Sequence, residues 1–473
     1  PPAPMSSAPG YRELAKLAWP IVLARSAQSV IGFCDAAMVA PLGEDALAAA
    51  TTGALNAMGM LALPMGTVYI VQSYAAQLAG AGDLAGARRY AWYGLLIAAL
   101  SFVLAVLAIP LIGPVLALTS HTEPVREAMS SYMAIRLLSV GVVVGTEAFG
   151  HWFAGLGDTT VAMRASLVAM VVNIVFNWIL IYGNLGAPAL GVDGAAWASA
   201  IASVAGFAVA GLAFRRARDR KTFVPAAHAE PGAPVLADSS EQTTHARALA
   251  RMLRFGLPNG LNWFLEFSAF LIFLNWVVAE LGTVATAAMM AVFAVNSVSF
   301  MPAFGLANAG AVLVGQAIGA NRPDDVPGLV WRTWTATAAW QGLVGIAYFA
   351  IPGPLMLIFS PDEARAADGV TAVGATLLAI SAAWQLFDAT VMTVSEALRA
   401  AGDTAWTLWA RIILAWVVWL PGAWLAVFVL EGGAPAATWS MVLYFVTMTV
   451  AFVLRFRGGA WRHIDLTGRR EGA

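Results

Sequence analysis

From Leu14 to Val453 the chain alternates long apolar runs with short polar breaks, and the runs outlast anything a soluble helix or strand requires. A membrane-crossing helix needs about 20 mostly apolar residues. A window of about 19 residues places such runs at 14–40, 46–78, 90–118, 124–155, 160–183, 191–214, 252–280, 285–317, 329–359, 369–399, 405–430 and 435–455. The pattern predicts an all-α integral membrane protein of twelve transmembrane helices. One polar interval, Arg215 to Arg251, is much longer than the others. It carries RRARDRK and then a Pro/Ala/His/Ser stretch too polar to bury, which reads as a cytoplasmic linker. The expected organisation is an N-terminal lobe over 12–214 (TM1–TM6), a linker over 215–251, a C-terminal lobe over 252–457 (TM7–TM12) and a cytoplasmic tail over 458–473. Pro1 to Gly10 has no basic n-region and no A-x-A site, so a cleaved signal peptide is not expected.

Arginines set the orientation. Arg88 and Arg89, Arg215 to Lys221, Arg322, and Arg455, Arg457 and Arg462 all fall on one side of this count, the side expected to be cytoplasmic. Loops on the other side carry Glu44, Asp45, Glu123, Glu127, Asp193, Asp362 and Glu363. An even number of spans puts both termini inside, in a multi-pass protein of the plasma or inner membrane.

The two halves repeat each other. LALPMGTVYIVQSYAAQLAGAGD at 61–83 has a counterpart in SFMPAFGLANAGAVLVGQAIGANR at 299–322, with Pro64 matching Pro302. FAGLGDT at 153–159 likewise matches LRAAGDT at 398–404. Six spans per half give both halves the same orientation, related by an axis along the membrane normal, a plan found in many secondary transporters. Pro20, Pro64, Pro258 and Pro302 are the candidate kinks.

Composition narrows the functions further. Hydrophobic residues make up 60% and charged residues 11%, with mean hydropathy +0.75; soluble domains have roughly 45–50% and 25%. A net charge of −1 gives no basic surface for polyphosphate, so no nucleic-acid partner is expected. Cys34 is the single cysteine, and His121, His151, His228, His245 and His463 have no metal-ligand spacing. No catalytic residues and no cofactor are expected, and an integral membrane acyl- or glycosyltransferase lacks its clustered chemistry.

Three acids lie deep in apolar runs, where each costs about 2.5–3.5 kcal/mol on insertion scales and is a functional hypothesis by default. They are Asp35 in GFCDAAM, Glu266 in NWFLEFSAF and Asp388 in WQLFDATVM, and none has a basic residue one helical turn away. Helical spacing groups polar residues around them: Arg25, Gln28 and Asp35 in span 1; Asn259, Asn262 and Glu266 in span 7; Ser381, Trp384, Gln385, Asp388 and Ser395 in span 10; Asn173 and Asn177 in span 5. Carboxylates with amide and hydroxyl oxygens suit Na⁺, and a desolvated carboxylate is also a proton carrier. The alternative is structural, each acid pairing with Arg25, Arg136, Arg164 or Arg411 on another helix. Glu147, His151, Arg136, Glu280, Glu396 and Arg399 are expected to reach for the interface, and Trp92, Trp331 and Trp461 to sit in the interfacial belts. Trp263, Phe267 and Trp384 lie beside the acids, where an aromatic face suits an organic cation.

At these residues the sequence resembles the multidrug and toxic compound extrusion (MATE) family, in particular its NorM-type branch, from about Glu13 to Arg457. The carrying segments are GFCDAAMVAPLG, PMG with AQLAGAGD, FAGLGDT, NIVFNWILIYGNLGAPALGVDGAAWAS, FGLPNGLNWFLEF, GQAIGANRPDDV and FDATVMTVSEALRAAGDT. The resemblance implies two pseudo-symmetric six-helix lobes around an alternating cavity, and export of lipophilic or cationic organic compounds against inward Na⁺ or H⁺. It implies an N-lobe ion site at Asp35, Asn173 and Asn177 and a C-lobe ion site at Glu266 and Asp388, either of which is a possible Na⁺ site. Gln28, Asn259, Asn262, Trp263, Trp384 and Gln385 are the cavity candidates. The partners expected are small organic cations and membrane lipids, and the expected state is a monomer. Two departures stand out: Asn177 replaces a second acid found in archaeal DinF-type members, and Arg25 has no expected counterpart. The alternative function is a flippase for a lipid-linked precursor, which would want a cationic cavity and two further helices.

Overall fold

The computed structural model describes residues 9–119, 121–217, 244–357 and 369–468. Most of the expected linker (218–243, with Lys221 and His228), the acidic loop at Asp362 and Glu363, and the last five residues of the expected tail lie outside the described residues.

The described residues form helices in the order expected. These are α1 (Tyr11–Val39), α2 (Glu44–Val68), α3 (Ile70–Gly80), α4 (Leu84–Leu116), α5 (Glu123–Leu138), α6 (Val140–Gly155), α7 (Thr160–Tyr182), α8 (Val192–Arg216), α9 (His245–Ile272) and α10 (Thr283–Gly319). They continue with α11 (Val326–Ala350), α12 (Pro352–Met356), α13 (Val370–Ser381), α14 (Gln385–Ala401), α15 (Thr404–Ile412), α16 (Leu420–Trp424) and α17 (Gly433–Arg457). Ten helical stretches are long and apolar enough to cross a membrane, and α5 with α6, bent by 46°, makes an eleventh. The twelfth is α11, whose 25 residues extend about 37 Å at 1.5 Å each. Buried Thr333, Thr337 and Gln341 make it the most polar of the set.

Several spans are interrupted where hydropathy alone indicated continuous helices. Span 2 breaks at Tyr69, span 4 at Ser139, and span 10 passes through a 3₁₀ turn at Ala382–Trp384. Spans 7 and 11 widen into π-helical turns at Phe273–Val278, Ile413–Trp419 and Leu425–Val429. Hydropathy windows sum over a span and carry no information about hydrogen-bond register, so such turns escape them. The four prolines sit inside continuous α-helices.

The repeat is legible in the backbone. At each of the four matched turns the helix ends with a left-handed residue, Gly82, Gly157, Asn321 or Gly402. The next N–H reaches back to close the turn: Asp83 to Leu78 at 2.8 Å, Asp158 to Phe153 at 2.9 Å, Arg322 to Ala317 at 2.9 Å and Asp403 to Leu398 at 2.9 Å. This is the Schellman closure that satisfies the last carbonyls of a helix. GAGD, GLGD, GANR and AAGD are therefore four instances of one stop signal.

The chain divides into two compact units, one of Pro20–Gly260 and one of the segment through Trp19 with everything from Leu261 onward. Within the first, Gly256 and Gly260 bring α9 against α2: a Cβ on Gly260 would lie 2.4 Å from the Leu63 carbonyl oxygen. Such small-xxx-small spacing lets helix backbones approach in a membrane, where packing drives association. Gly194 plays the same part between α8 and α7, its notional Cβ 2.5 Å from the Leu180 carbonyl oxygen.

Two expectations about the interface are corrected. Trp461 is 3% exposed, donates Nε1 to the Phe456 carbonyl and stacks on the Phe456 ring, so it is packed inside and takes no place in an interfacial belt. Glu396 and Arg399 do not snorkel; they are buried and pair with each other one helical turn apart. Burial of both partners together removes the need for water, which sequence spacing alone had not decided.

Candidate functional site

In the Pro20–Gly260 unit, Asp35 is held near the end of α1 by neutral donors from two other helices. Asn173 Nδ2 and Asn177 Nδ2, one turn apart on α7, donate to Asp35 Oδ1 at 3.0 and 2.5 Å. Ser199 of α8 donates its hydroxyl to Asp35 Oδ2 at 2.9 Å. The amides are tied to each other and to Ser199, at 3.2 Å in both cases. Asn173 and Asn177 are fully buried. One atom of the group, Asn177 Oδ1, is buried without a hydrogen-bond partner. A buried orphan acceptor is costly, about 1–3 kcal/mol, and here it stands beside a carboxylate. A turn of the Asn177 amide would present that oxygen instead of the nitrogen, adding to the carboxylate and hydroxyl oxygens that a hard cation takes.

Ser199 was missed in the sequence. Its signal is the small-residue stripe Ala195, Ser199, Ala202 and Gly206 on α8, every member buried; a hydroxyl on a stripe that packs against two asparagines has a partner nearby. A core of Val39, Ala50, Tyr132, Ile135, Ile181, Ala195, Ala196 and Ala200 packs around this end of α1, α7 and α8 and holds them in register.

Ten residues earlier on α1, Arg25 and Gln28 meet α6. Arg25 Nη2 lies 3.2 Å from Glu147 Oε2, and Gln28 Nε2 donates to Glu147 Oε1 at 3.3 Å. His151 Nε2 stands 3.2 Å from the same carboxylate. Glu147 and His151 were expected at the interface; they instead lie inside the unit, with exposures of 14% and 7% for their side chains. Gln28, a cavity candidate, belongs to this cluster, and Arg25 is matched by a carboxylate.

In the other unit the acids are arranged differently. Glu266 on α9 is paired with Arg411 on α15, whose Nη1 donates to both carboxylate oxygens. Arg411 also reaches Ser395 Oγ at 3.5 Å and lies over the Phe452 ring at 5.6 Å. Asp388 is held by an amide: Gln341 Nε2 on α11 donates to its Oδ2 at 3.2 Å. Asp388 stands within electrostatic range of both Arg411 and Glu266. The expected pair of acids thus has a guanidinium in its midst, on the position a bound cation would take at Glu266. Buried atoms without hydrogen-bond partners gather in this unit as well: Gln341 Oε1, Arg411 Nε, Asn262 Oδ1 and the Tyr444 hydroxyl. Gln341 was also missed; the signal was the Thr333, Thr337, Gln341 stripe, a polar line along one face of α11.

The remaining candidates disperse. Asn259 donates to the Gly66 carbonyl at 2.6 Å and so joins α9 to α2. Gln385 donates to Asn296 Oδ1 at 2.8 Å. Trp384 is 4% exposed and tilts against Phe445 at 5.8 Å. Trp263 is partly exposed on α9. Among the described residues no group of three or more His, Cys, Asp or Glu side chains is arranged to hold a metal ion.

The family model described as MatE matches residues 20–179 and matches again over 258–425. The chain belongs to the MatE family. The double match falls on the two halves of the repeat. A Pseudomonas putida protein named probable multidrug resistance protein NorM is 27% identical to this MatE chain over 470 residues, covering 97% of it and 96% of the relative. The multidrug resistance protein PmpM of Pseudomonas aeruginosa is 28% identical over 428 residues, covering 87% and 82%. Among solved structures, a MOP superfamily transporter from Pyrococcus furiosus superposes with a TM-score of 0.81 at 21% identity, covering 97% of this chain and 98% of the other. A eukaryotic MATE transporter gives 0.80 at 16%. The MatE fold, two six-helix lobes of twelve spans, is thereby established for this chain.

Proposed function

We propose that this MatE chain is a secondary multidrug exporter of the bacterial inner membrane, moving lipophilic organic cations outward in exchange for inward H⁺ or Na⁺. The observation that carries the reading is Asp35: an acid inside a spanning helix, bonded by three neutral donors and by no cation among the described residues. An intramembrane carboxylate of this kind marks an ion or substrate path. The names borne by its relatives support the same reading. Asp388, bonded among the described residues to the Gln341 amide, is the corresponding acid of the second unit. Glu266, already neutralised by Arg411, serves as the counter-charge that fixes Arg411 rather than as an ion ligand. Arginines at 88, 89, 215, 322, 455, 457 and 462 favour a cytoplasmic location for both termini.

Exchange follows from competition. A coupling ion on Asp35 or Asp388 neutralises the charge that attracts an organic cation, so each weakens the other's binding by the same factor. The test is efflux of ethidium from proteoliposomes under a Na⁺ gradient at clamped pH, and separately under a pH gradient without Na⁺. Efflux driven by either gradient, and lost in Asp35→Asn, is the expected result. Absence of efflux under both gradients overturns the exporter reading.

A further inference from the structure

The Arg25, Gln28, Glu147, His151 cluster is not needed by the exchange just described, yet it holds an imidazole buried among polar partners inside a span of this unit. His151 is 6% exposed. Its Nε2 faces Glu147 Oε2 at 3.2 Å, and its Nδ1 faces Gln72 Oε1 on α3 at 3.2 Å. A carboxylate only accepts hydrogen bonds, and so does an amide oxygen. With the Gln72 amide oxygen turned to the ring, both ring nitrogens donate, the pattern of the doubly protonated imidazole. The neutral ring keeps the Glu147 contact through Nε2–H, provided that Gln72 turns its amide to offer Nδ1 an N–H instead. Each proton state thus has a matching orientation of one buried glutamine.

We propose that His151 is a proton-binding site of the N-terminal unit, separate from Asp35, and that its proton sets how strongly that unit holds an organic cation. The groups facing the ring include Glu147 from its own helix, Arg25 from α1, Gln72 from α3 and Tyr69, whose ring centroid lies 4.4 Å away at the α2–α3 break. Arg88 of α4 lies over the neighbouring Trp152 and over Phe214 of α8. Arg25 and Glu147 cancel, so a proton on His151 adds one positive charge to the cluster. Arg25, the α1 member of the cluster, stands ten residues from Asp35, roughly 15 Å along that helix. At an effective dielectric of about 20 a unit charge at that distance weakens a cation on Asp35 roughly sixfold. Because Glu147 also bonds Arg25 and Gln28, the proton sits on a junction that ties α6 to the helix bearing Asp35.

The proton-binding claim stands on geometry alone; its effect on cation binding rests on the exporter reading, and two measurements separate them. In the first, the full chain labelled with ¹⁵N-histidine is titrated in detergent micelles from pH 9 to 5. One imidazole, missing from the His151→Gln spectrum, passes from a neutral to a doubly protonated signature. A His151 signal that keeps one form across the range overturns the proposal. In the second, ethidium binding to the same protein is followed over the same range. Wild-type affinity falls on acidification roughly sixfold more than that of His151→Gln, while His151→Lys, with its permanent charge, binds weakly throughout. An unchanged pH slope in His151→Gln overturns the coupling to Asp35. If ethidium does not bind at all, the exporter reading fails, and the titration still decides whether His151 holds an exchangeable proton.

Discussion

Among the described residues, each unit of this protein sets in its spans one half-buried carboxylate paired with an arginine on another helix and one held by neutral donors. In the Pro20–Gly260 unit, Glu147 is matched by Arg25 while Asp35 accepts from two amides and a hydroxyl. In the other unit, Glu266 is matched by Arg411 while Asp388 accepts from the Gln341 amide. The locked pair and the open acid are laid out differently, however. Arg25 and Asp35 share one helix and stand about 15 Å apart along it, whereas Arg411 lies within electrostatic range of Asp388. An arginine at that range competes directly with any cation for the open acid, and an arginine 15 Å away only tunes it. The lesson is that a count of intramembrane acids overstates the number available to bind ions; the arginine partner decides which acid is free.

The backbone differs in the same sense. Around the Arg411 pair, spans 7 and 11 carry π-helical turns, and the wide turns set Phe273 against Trp419 at 4.9 Å and Trp419 against Tyr444 at 5.0 Å. Among the described residues the Pro20–Gly260 unit has α and 3₁₀ turns only. Turns of this type are frequent at functional sites, and here they flank the more crowded of the two charge clusters.

The largest effect should come from unlocking a pair. Arg411→Met leaves Glu266 without its counter-charge; with the Arg411 side chain 15% and the Glu266 side chain 42% exposed, the loss is about 3 kcal/mol, the lower end for a pair broken on one side. The thermal midpoint of the detergent-solubilised protein should fall by several degrees and recover in Arg411→Met/Glu266→Gln. A single variant as stable as the wild type would mean that the pair does not distinguish the two acids of this unit.

Next in size are the open acids. Asp35→Asn and Asp388→Asn keep the side-chain shape and remove the charge, so ethidium efflux should fall about 30- to 100-fold, the equivalent of roughly 2–3 kcal/mol for a charge-assisted contact. Abundance in the membrane and thermal midpoint should stay near wild type, in contrast to the unlocked pair. Efflux at wild-type rates in Asp388→Asn would assign the exchange to Asp35 alone.

The smallest effect belongs to the donors that hold these acids. Ser199→Ala and Gln341→Ala each remove one hydrogen bond, worth about 1 kcal/mol net, or roughly fivefold in efflux rate. Ser199→Thr should retain most of the rate if its hydroxyl still reaches Asp35. Equal losses in the alanine and threonine variants would point to packing on α8 rather than to the hydroxyl.

Much of this was written in the order of residues. The twelve apolar runs, the repeated stop signals at 78–83 and 317–322, and the isolation of Asp35, Glu266 and Asp388 from basic neighbours on their own helices depend on local composition and spacing, which a linear reading captures. The Asn173 and Asn177 pair was legible for the same reason, since i and i+4 share a face of one helix. Partnership across helices was not. Whether Glu266 meets Arg411 or a cation, and whether Glu147 reaches for the interface or closes on Arg25 and His151, depends on the rotation and depth of helices that are far apart in sequence. Hydropathy fixes that a helix spans but leaves its rotation open; close contacts at residues such as Gly194 and Gly260 set that rotation. The sequence by itself determined where charge enters the membrane, and the tertiary structure decided which charges remain free, because a charge is neutralised by what stands beside it in space.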